Sequence, residues 1–272
     1  MTARPISGKT RFIVMLGDPV SQVKTPTAFA DWAVATSNDI VMIPIQVSDA
    51  GLSTTLQAMR DWGNCLGAVV TYPHKQAAAL VLDSHDEAVE IVGACNVIRR
   101  EADGRLNGTM TDGFGFVNAL AGNHYDVAGK DVILVGAGGA GSAIALALVD
   151  AGAGRLMVIE TDTKRRDGLK TRLAQMRPHA SVHSDMPEGF SCALVCNATP
   201  VGMNGDPSHP YPLTMLPIGC VVADIVPDPP RTSWLVDAAR LGHPVQNGPQ
   251  MVAAQLPAIT AFLVRTSERS PC

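Results

Sequence analysis

Seven short apolar runs punctuate the chain: RFIVML from Arg11, DIVMIPIQV from Asp39, LGAVVT from Leu66, DVILVGA from Asp131, RLMVIE from Arg155, CALVCN from Cys192 and CVVADIV from Cys220. They are rich in β-branched residues and too short for helices, so they predict strands. Helix-like stretches lie between them at 26–36, 51–62, 142–151 and 164–176. Strand and helix in alternation predict an α/β chain, with mostly parallel sheet covered by helices. A domain boundary is expected near 101–113, where EADGRLNGT is polar and glycine-bearing and leads into a helix at FGFVNALAG. GPQMVAAQLPAITAFLV predicts a long terminal helix, kinked at Pro257, that returns to cover the first half. SERSPC reads as a frayed tail.

The run ending at Val135 leads into Gly136-x-Gly138-x-x-Gly141 and then a helix. A strand before and a helix after give that glycine pattern its meaning, because glycines let backbone N–H groups approach a pyrophosphate at a helix N-terminus. Glu160 ends the next strand, where a carboxylate can accept hydrogen bonds from ribose hydroxyls and repel a 2′-phosphate. NAD is the favoured cofactor. NADP stays open because Lys164, Arg165 and Arg166 follow, and FAD or S-adenosylmethionine can use a similar turn.

Length and composition narrow the class. At 272 residues two domains are expected, and 46% hydrophobic with 17% charged residues describes an ordinary globular chain. A net charge of −4 offers no face to nucleic acid, and no apolar run approaches a membrane span or a secretory signal. A cytoplasmic protein, monomer or homodimer, is expected. Six cysteines without paired spacing read as reduced thiols, and Cys192 and Cys196 lack the neighbours of a metal site; none is expected.

The phrase VVTYPHK places Lys75 just beyond a strand end and a proline, at the sheet edge where open α/β folds bind ligands. Burial there brings a lysine toward proton exchange with a hydroxyl; the alternative is a solvated surface lysine. Asp112 starts a helix, so it is either an N-cap or a carboxylate partner for Lys75.

With these pieces in place, GDPVSQVKTP, VVTYPHK, GACN, TDGFGF, GAGGAG, NATPVGM, DIVPDPPRTSWL and NGPQMVAAQ resemble, in order and spacing, the shikimate/quinate dehydrogenase family over almost the whole chain. The resemblance implies a substrate-binding catalytic domain at 1–108, completed by a helix at 248–272, and a Rossmann domain at 109–247. It implies hydride transfer between a nicotinamide cofactor and a secondary alcohol of a ring acid. Lys75 and Asp112 match the catalytic pair, and the substrate-binding positions are Val23, Thr25, Thr71, Asn96 and Gln255. The implied cofactor set is Gly136, Gly138, Gly139, Ala140, Gly141, Glu160, Thr161, Asn197, Thr199, Met203, Val226 and Gly248.

The chain also departs from the family pattern. Val23 and Thr25 stand where a Ser-x-Ser pair grips the substrate carboxylate, Val69 replaces an asparagine and Pro227 a tyrosine. Glu160-Thr161-Asp162 stands where members committed to NADP carry Asn-Arg-Thr. A relative specialised for quinate, an aminoshikimate or another ring acid is the alternative, and a non-catalytic cofactor-binding sensor a more distant one.

Overall fold

The computed structural model describes residues 6–264. The chain divides into two compact units, one running to Met110 and resuming at Leu256, the other Thr111–Gln255.

The first unit contains β1 (Arg11–Gly17), α1 (Thr25–Ala35), β2 (Ile40–Gln46), α2 (Asp49–Met59), β3 (Cys65–Val70), α3 (Lys75–Ala79), β4 (Ser84–His85), α4 (Glu87–Val92), β5 (Val97–Arg100) and β6 (Leu106–Thr109). Its six strands lie in the order β2-β1-β3-β5-β6-β4. β1, β2 and β3 run parallel, whereas β5 is antiparallel to both β3 and β6. The polar EADGRLNGT is therefore largely a hairpin, and the division between the units follows it, after Met110. Its turn closes through Gly104 at φ 85°, and so short a connection permits only an antiparallel return. Residues 256–263, the end of the final helix, pack in this unit: Ile259 and Leu263 join Ile13, Phe29, Val69 and Val97 in one buried cluster.

The second unit contains α5 (Asp112–Gly122), β7 (Asp131–Val135), α6 (Gly139–Asp150), β8 (Arg155–Ile159), α7 (Thr163–Met176), β9 (Val182–His183), β10 (Cys192–Asn197), β11 (Val221–Asp224), α8 (Ser233–Arg240), β12 (Val245–Gln246) and the first turns of α9 (Gly248–Leu263). All five strand pairings are parallel, in the order β12-β11-β10-β7-β8-β9. Read from β9, this is the doubly wound dinucleotide-binding order, whose strand direction of progress reverses between β7 and β10. Ile133, Val195, Val222 and Trp234 are buried on one face of that sheet, and α9 runs continuously through Pro257. Among the described residues no helix is long and apolar enough to cross a membrane.

Candidate active site

In the first unit, β3 is buried at every residue and stops at Val70. Thr71 N–H still donates to Leu16 O, and His74 N–H to Thr71 O, so the chain folds tightly before α3 opens at Lys75. Gly17 is needed opposite: a Cβ there would collide with the Thr71 methyl group. Asn96 is held against the same edge, since its carbonyl accepts from Val70 N–H and its own N–H donates to Thr109 O. Cys95 N–H donates to the carbonyl of Lys75 itself. Thr71, Lys75 and Asn96 are thus fixed to one another by backbone bonds. Thr25, buried, is the first residue of α1, and Val23 packs its side chain against the apolar cluster of Phe29 and Ile13. The sequence reading assigned nothing to His74. Its Nε2 lies 2.5 Å from Val47 O, anchoring the residue beside Lys75, while Nδ1 is 3.2 Å from Asp49 Oδ1 but out of line for a hydrogen bond.

In the second unit, Asp112 is the first residue of α5, whose cap is Thr111, so it does not serve as the N-cap. It is buried, and Gln255 Nε2 donates to its Oδ1 at 2.7 Å across 143 residues of sequence. Close packing permits that approach, because a Cβ on Gly115 would strike the Gln255 side chain and one on Gly113 the Ala143 carbonyl.

The three glycines of the Gly136-x-Gly138-x-x-Gly141 pattern are needed for different reasons. Gly136 has φ 101° and faces Ala198 and Thr199; a Cβ on Gly141 would overlap the Gly136 carbonyl; around Gly138, which caps α6, there is open space. The first two let the turn close, and the third leaves room for a phosphate at the helix N-terminus. Gly139 and Ala140 form the first turn of α6, whose initial N–H groups have no partner within the helix. Glu160 Oε2 accepts from Ala137 N–H at 2.8 Å and Oε1 from Asp162 N–H at 3.0 Å, with Thr161 Oγ1 at 3.2 Å. Burial pushes this carboxyl up, but those hydrogen bonds, with Arg165 at 3.7 Å, outweigh it and hold Glu160 below its ordinary value. It is therefore a fixed negative charge just beyond the end of β8.

Asn197 ends β10 fully buried. Its Oδ1 accepts from Thr199 N–H and Oγ1, at 3.0 and 2.6 Å, while Nδ2 donates to Val201 O and Asp224 Oδ1. Asn197 and Thr199 thus shape the loop that leads to Met203. Asp224, which the sequence reading left without a role, joins this loop to the next: it accepts from Val226 N–H and Thr232 Oγ1 as well. Burial pushes its carboxyl up to about 6 against these stabilising bonds. Val226 and Gly248 also meet, since any Cβ on Gly248 would overlap the Val226 carbonyl.

A family model described as the shikimate dehydrogenase substrate-binding domain matches residues 15–98. A shikimate dehydrogenase (NADP(+)) of Rubrobacter xylanophilus is 33% identical over 243 residues, spanning 88% of this chain and 85% of its own. Among solved structures, shikimate 5-dehydrogenase of Listeria monocytogenes in complex with shikimate and NAD superposes with TM-score 0.85 at 26% identity, covering 97% of this chain and 95% of that one. Ligand-free 5-ketofructose reductase of Gluconobacter sp. strain CHM43 gives TM-score 0.82 at 27% identity, covering 95% and 94%. Sequence likeness and backbone likeness both extend over nearly the whole chain, and by them it belongs to the shikimate/quinate dehydrogenase family.

Proposed function

We propose that the chain is an NAD-linked dehydrogenase that interconverts a secondary alcohol and a ketone on a polyhydroxylated ring acid of the shikimate or quinate type. The observation that carries this reading is the Gln255–Asp112 hydrogen bond, which joins a position the family resemblance assigns to catalysis with one it assigns to the substrate, from opposite ends of the second unit. Lys75, fixed beside Thr71 and Asn96, takes the hydroxyl proton as hydride leaves the carbon. Asp112, oriented by Gln255, holds the hydroxyl in line and shares the proton, while Asn96, Thr71 and Thr25 bind neighbouring oxygens. The glycine turn, Glu160, Met203, Val226 and Gly248 would hold the dinucleotide, which supplies the hydride acceptor. The anchored Glu160 charge supports NAD over NADP.

A second reading rests on Val23. Its side chain packs among apolar neighbours and offers no hydrogen bond to a carboxylate, which favours a neutral polyhydroxy ketone of the kind named in the Gluconobacter reductase. Steady-state rates with shikimate, quinate and 5-ketofructose, each with NAD(H) and NADP(H), decide between them. Ring-acid turnover favouring NAD supports the first reading; turnover of 5-ketofructose alone replaces it with the second, and inactivity throughout removes both.

A further inference from the structure

At the opposite edge of the second sheet, where β10 begins and β11 is about to begin, two cysteines meet. Cys220 Sγ lies 3.6 Å from Cys192 Sγ, in line to donate its S–H. A bulge brings this about. In β10, Cys192 pairs with Asp131 but Leu194 pairs with Val132, so Ala193 is the extra residue. Strict alternation from Val195 would put residue 193 on the face shared with Val222 and Ile133; the bulge puts Cys192 there instead, beside Cys220. The nearest cysteine in sequence, Cys196, is not its partner.

Both thiols line a cavity of about 390 Å³ whose walls include Leu120, Pro217 and Pro244, with exposed Ile218 at its margin. Cys65 and Cys95 are buried away from it, and Cys196 lies inside the sheet. Among the described residues no third Cys, His, Asp or Glu completes a metal site with the pair.

We infer that Cys192 and Cys220 form a reversible redox dithiol, open through this cavity to small hydroperoxides. The electrostatics agree: the hydrogen bond from Cys220 holds Cys192 below the ordinary thiol range, and the same bond with burial holds Cys220 above it. Cys192 is the nucleophile, since the thiolate is the reactive form. It attacks one peroxide oxygen, the O–O bond breaks, and the alcohol leaves after taking a proton, giving a sulfenic acid at Cys192. Cys220 sulfur then displaces the hydroxyl as water, carrying off its own proton. Two thiols lose two electrons in all, and one hydroperoxide becomes one alcohol and one water. Leu194 pairs with Val221, so Cys192 and Cys220 stand one step off register on strands about 4.8 Å apart, and disulfides tolerate Cα separations up to about 6.8 Å.

The test uses the full chain with Cys272→Ala, to remove the tail thiol. Folded protein is treated with hydrogen peroxide, alkylated after unfolding, and mapped by mass spectrometry. The expected product is one disulfide joining Cys192 to Cys220, reversed by dithiothreitol, with Cys65, Cys95 and Cys196 still alkylated. In Cys220→Ser, Cys192 stops at a sulfenic acid that dimedone traps about tenfold faster than anything at Cys196. Intact thiols at 192 and 220 in folded protein, or a bond to any other cysteine, would overturn the inference, whether or not the serine variant folds.

Discussion

The functional edge of the second unit is mostly main chain: Gly136 and Gly141 exist so that β7, the Ala198 loop and α6 can touch, and Gly138 leaves space where a phosphate fits. In the first unit the edge is side chain: Thr71, Lys75 and Asn96 project from a backbone frame whose hydrogen bonds ignore what those side chains are. The contrast explains where the chain departs from its family. Main-chain sites tolerate little change, so the glycine turn is intact. Side-chain sites can be edited one residue at a time while the frame persists, and Val23 and Val69, both in the first unit, fit that pattern. On the proposed reading, the glycine turn belongs to the reaction class and the first unit's side chains to the choice of substrate.

The largest effect that would sharpen the contrast is Lys75→Ala. Turnover should fall by about 10²- to 10⁴-fold, the usual contribution of a positioned acid–base group, with NAD affinity within about twofold of the parent. Steady-state kinetics beside a cofactor titration measures both; a parallel loss of cofactor affinity would break the division of labour.

Next comes Asp224, whose folded value of about 6 lies above its ordinary 3.8 because of burial. A raised carboxyl binds its proton more tightly in the folded state, so its stabilising contribution is present below about pH 4 and is lost as pH rises to about 6. The loss should be on the order of 2–3 kcal/mol. Asp224→Asn should flatten the fall of denaturation midpoint across that window; an unchanged pH profile would place the titration elsewhere.

A pair of glycine variants tests the main-chain half more gently. Gly141→Ala should cost about 1–3 kcal/mol in chemical denaturation through overpacking against the Gly136 carbonyl. Gly138→Ala, in open space, should change stability by less than about 0.5 kcal/mol while weakening NAD binding. Equal stability losses would mean the two glycines have the same job.

The smallest effect concerns the edited clamp. Val23→Ser should lower the KM for a ring acid by about tenfold, the lower end of what one hydrogen bond to a charged group is worth. An unchanged ring-acid KM beside poorer use of 5-ketofructose would favour the neutral-substrate reading.

Much of this was legible in the chain. All seven apolar runs are strands. The inner ones such as β3 and β11 are buried because parallel strands covered by helices need apolar residues on both faces; β2 is an edge strand and partly exposed. β5 escaped notice because VIRR looks half solvated. Its arginines are instead tied down: Arg99 donates to Phe262 O and Glu101, and Arg100 to the carbonyls of Met59 and Arg60. LNGT is polar and does not look like a strand, yet it is β6 and its backbone pairs with β5. The glycine turn could be read since its constraints are local. Asp224 could not, because its role depends on Asn197, 27 residues away, and on Thr232. The thiol pair was hidden similarly, since a one-residue bulge decides which way Cys192 points.

The central claim is hydride transfer assisted by Lys75. It is tested most directly by offering the enzyme NAD and shikimate or quinate carrying deuterium on the carbon to be oxidised, then weighing the reduced cofactor. The account predicts one deuterium per NADH, formed quickly by the parent and far more slowly by Lys75→Ala. Unlabelled NADH, or equal rates in the two proteins, would contradict it.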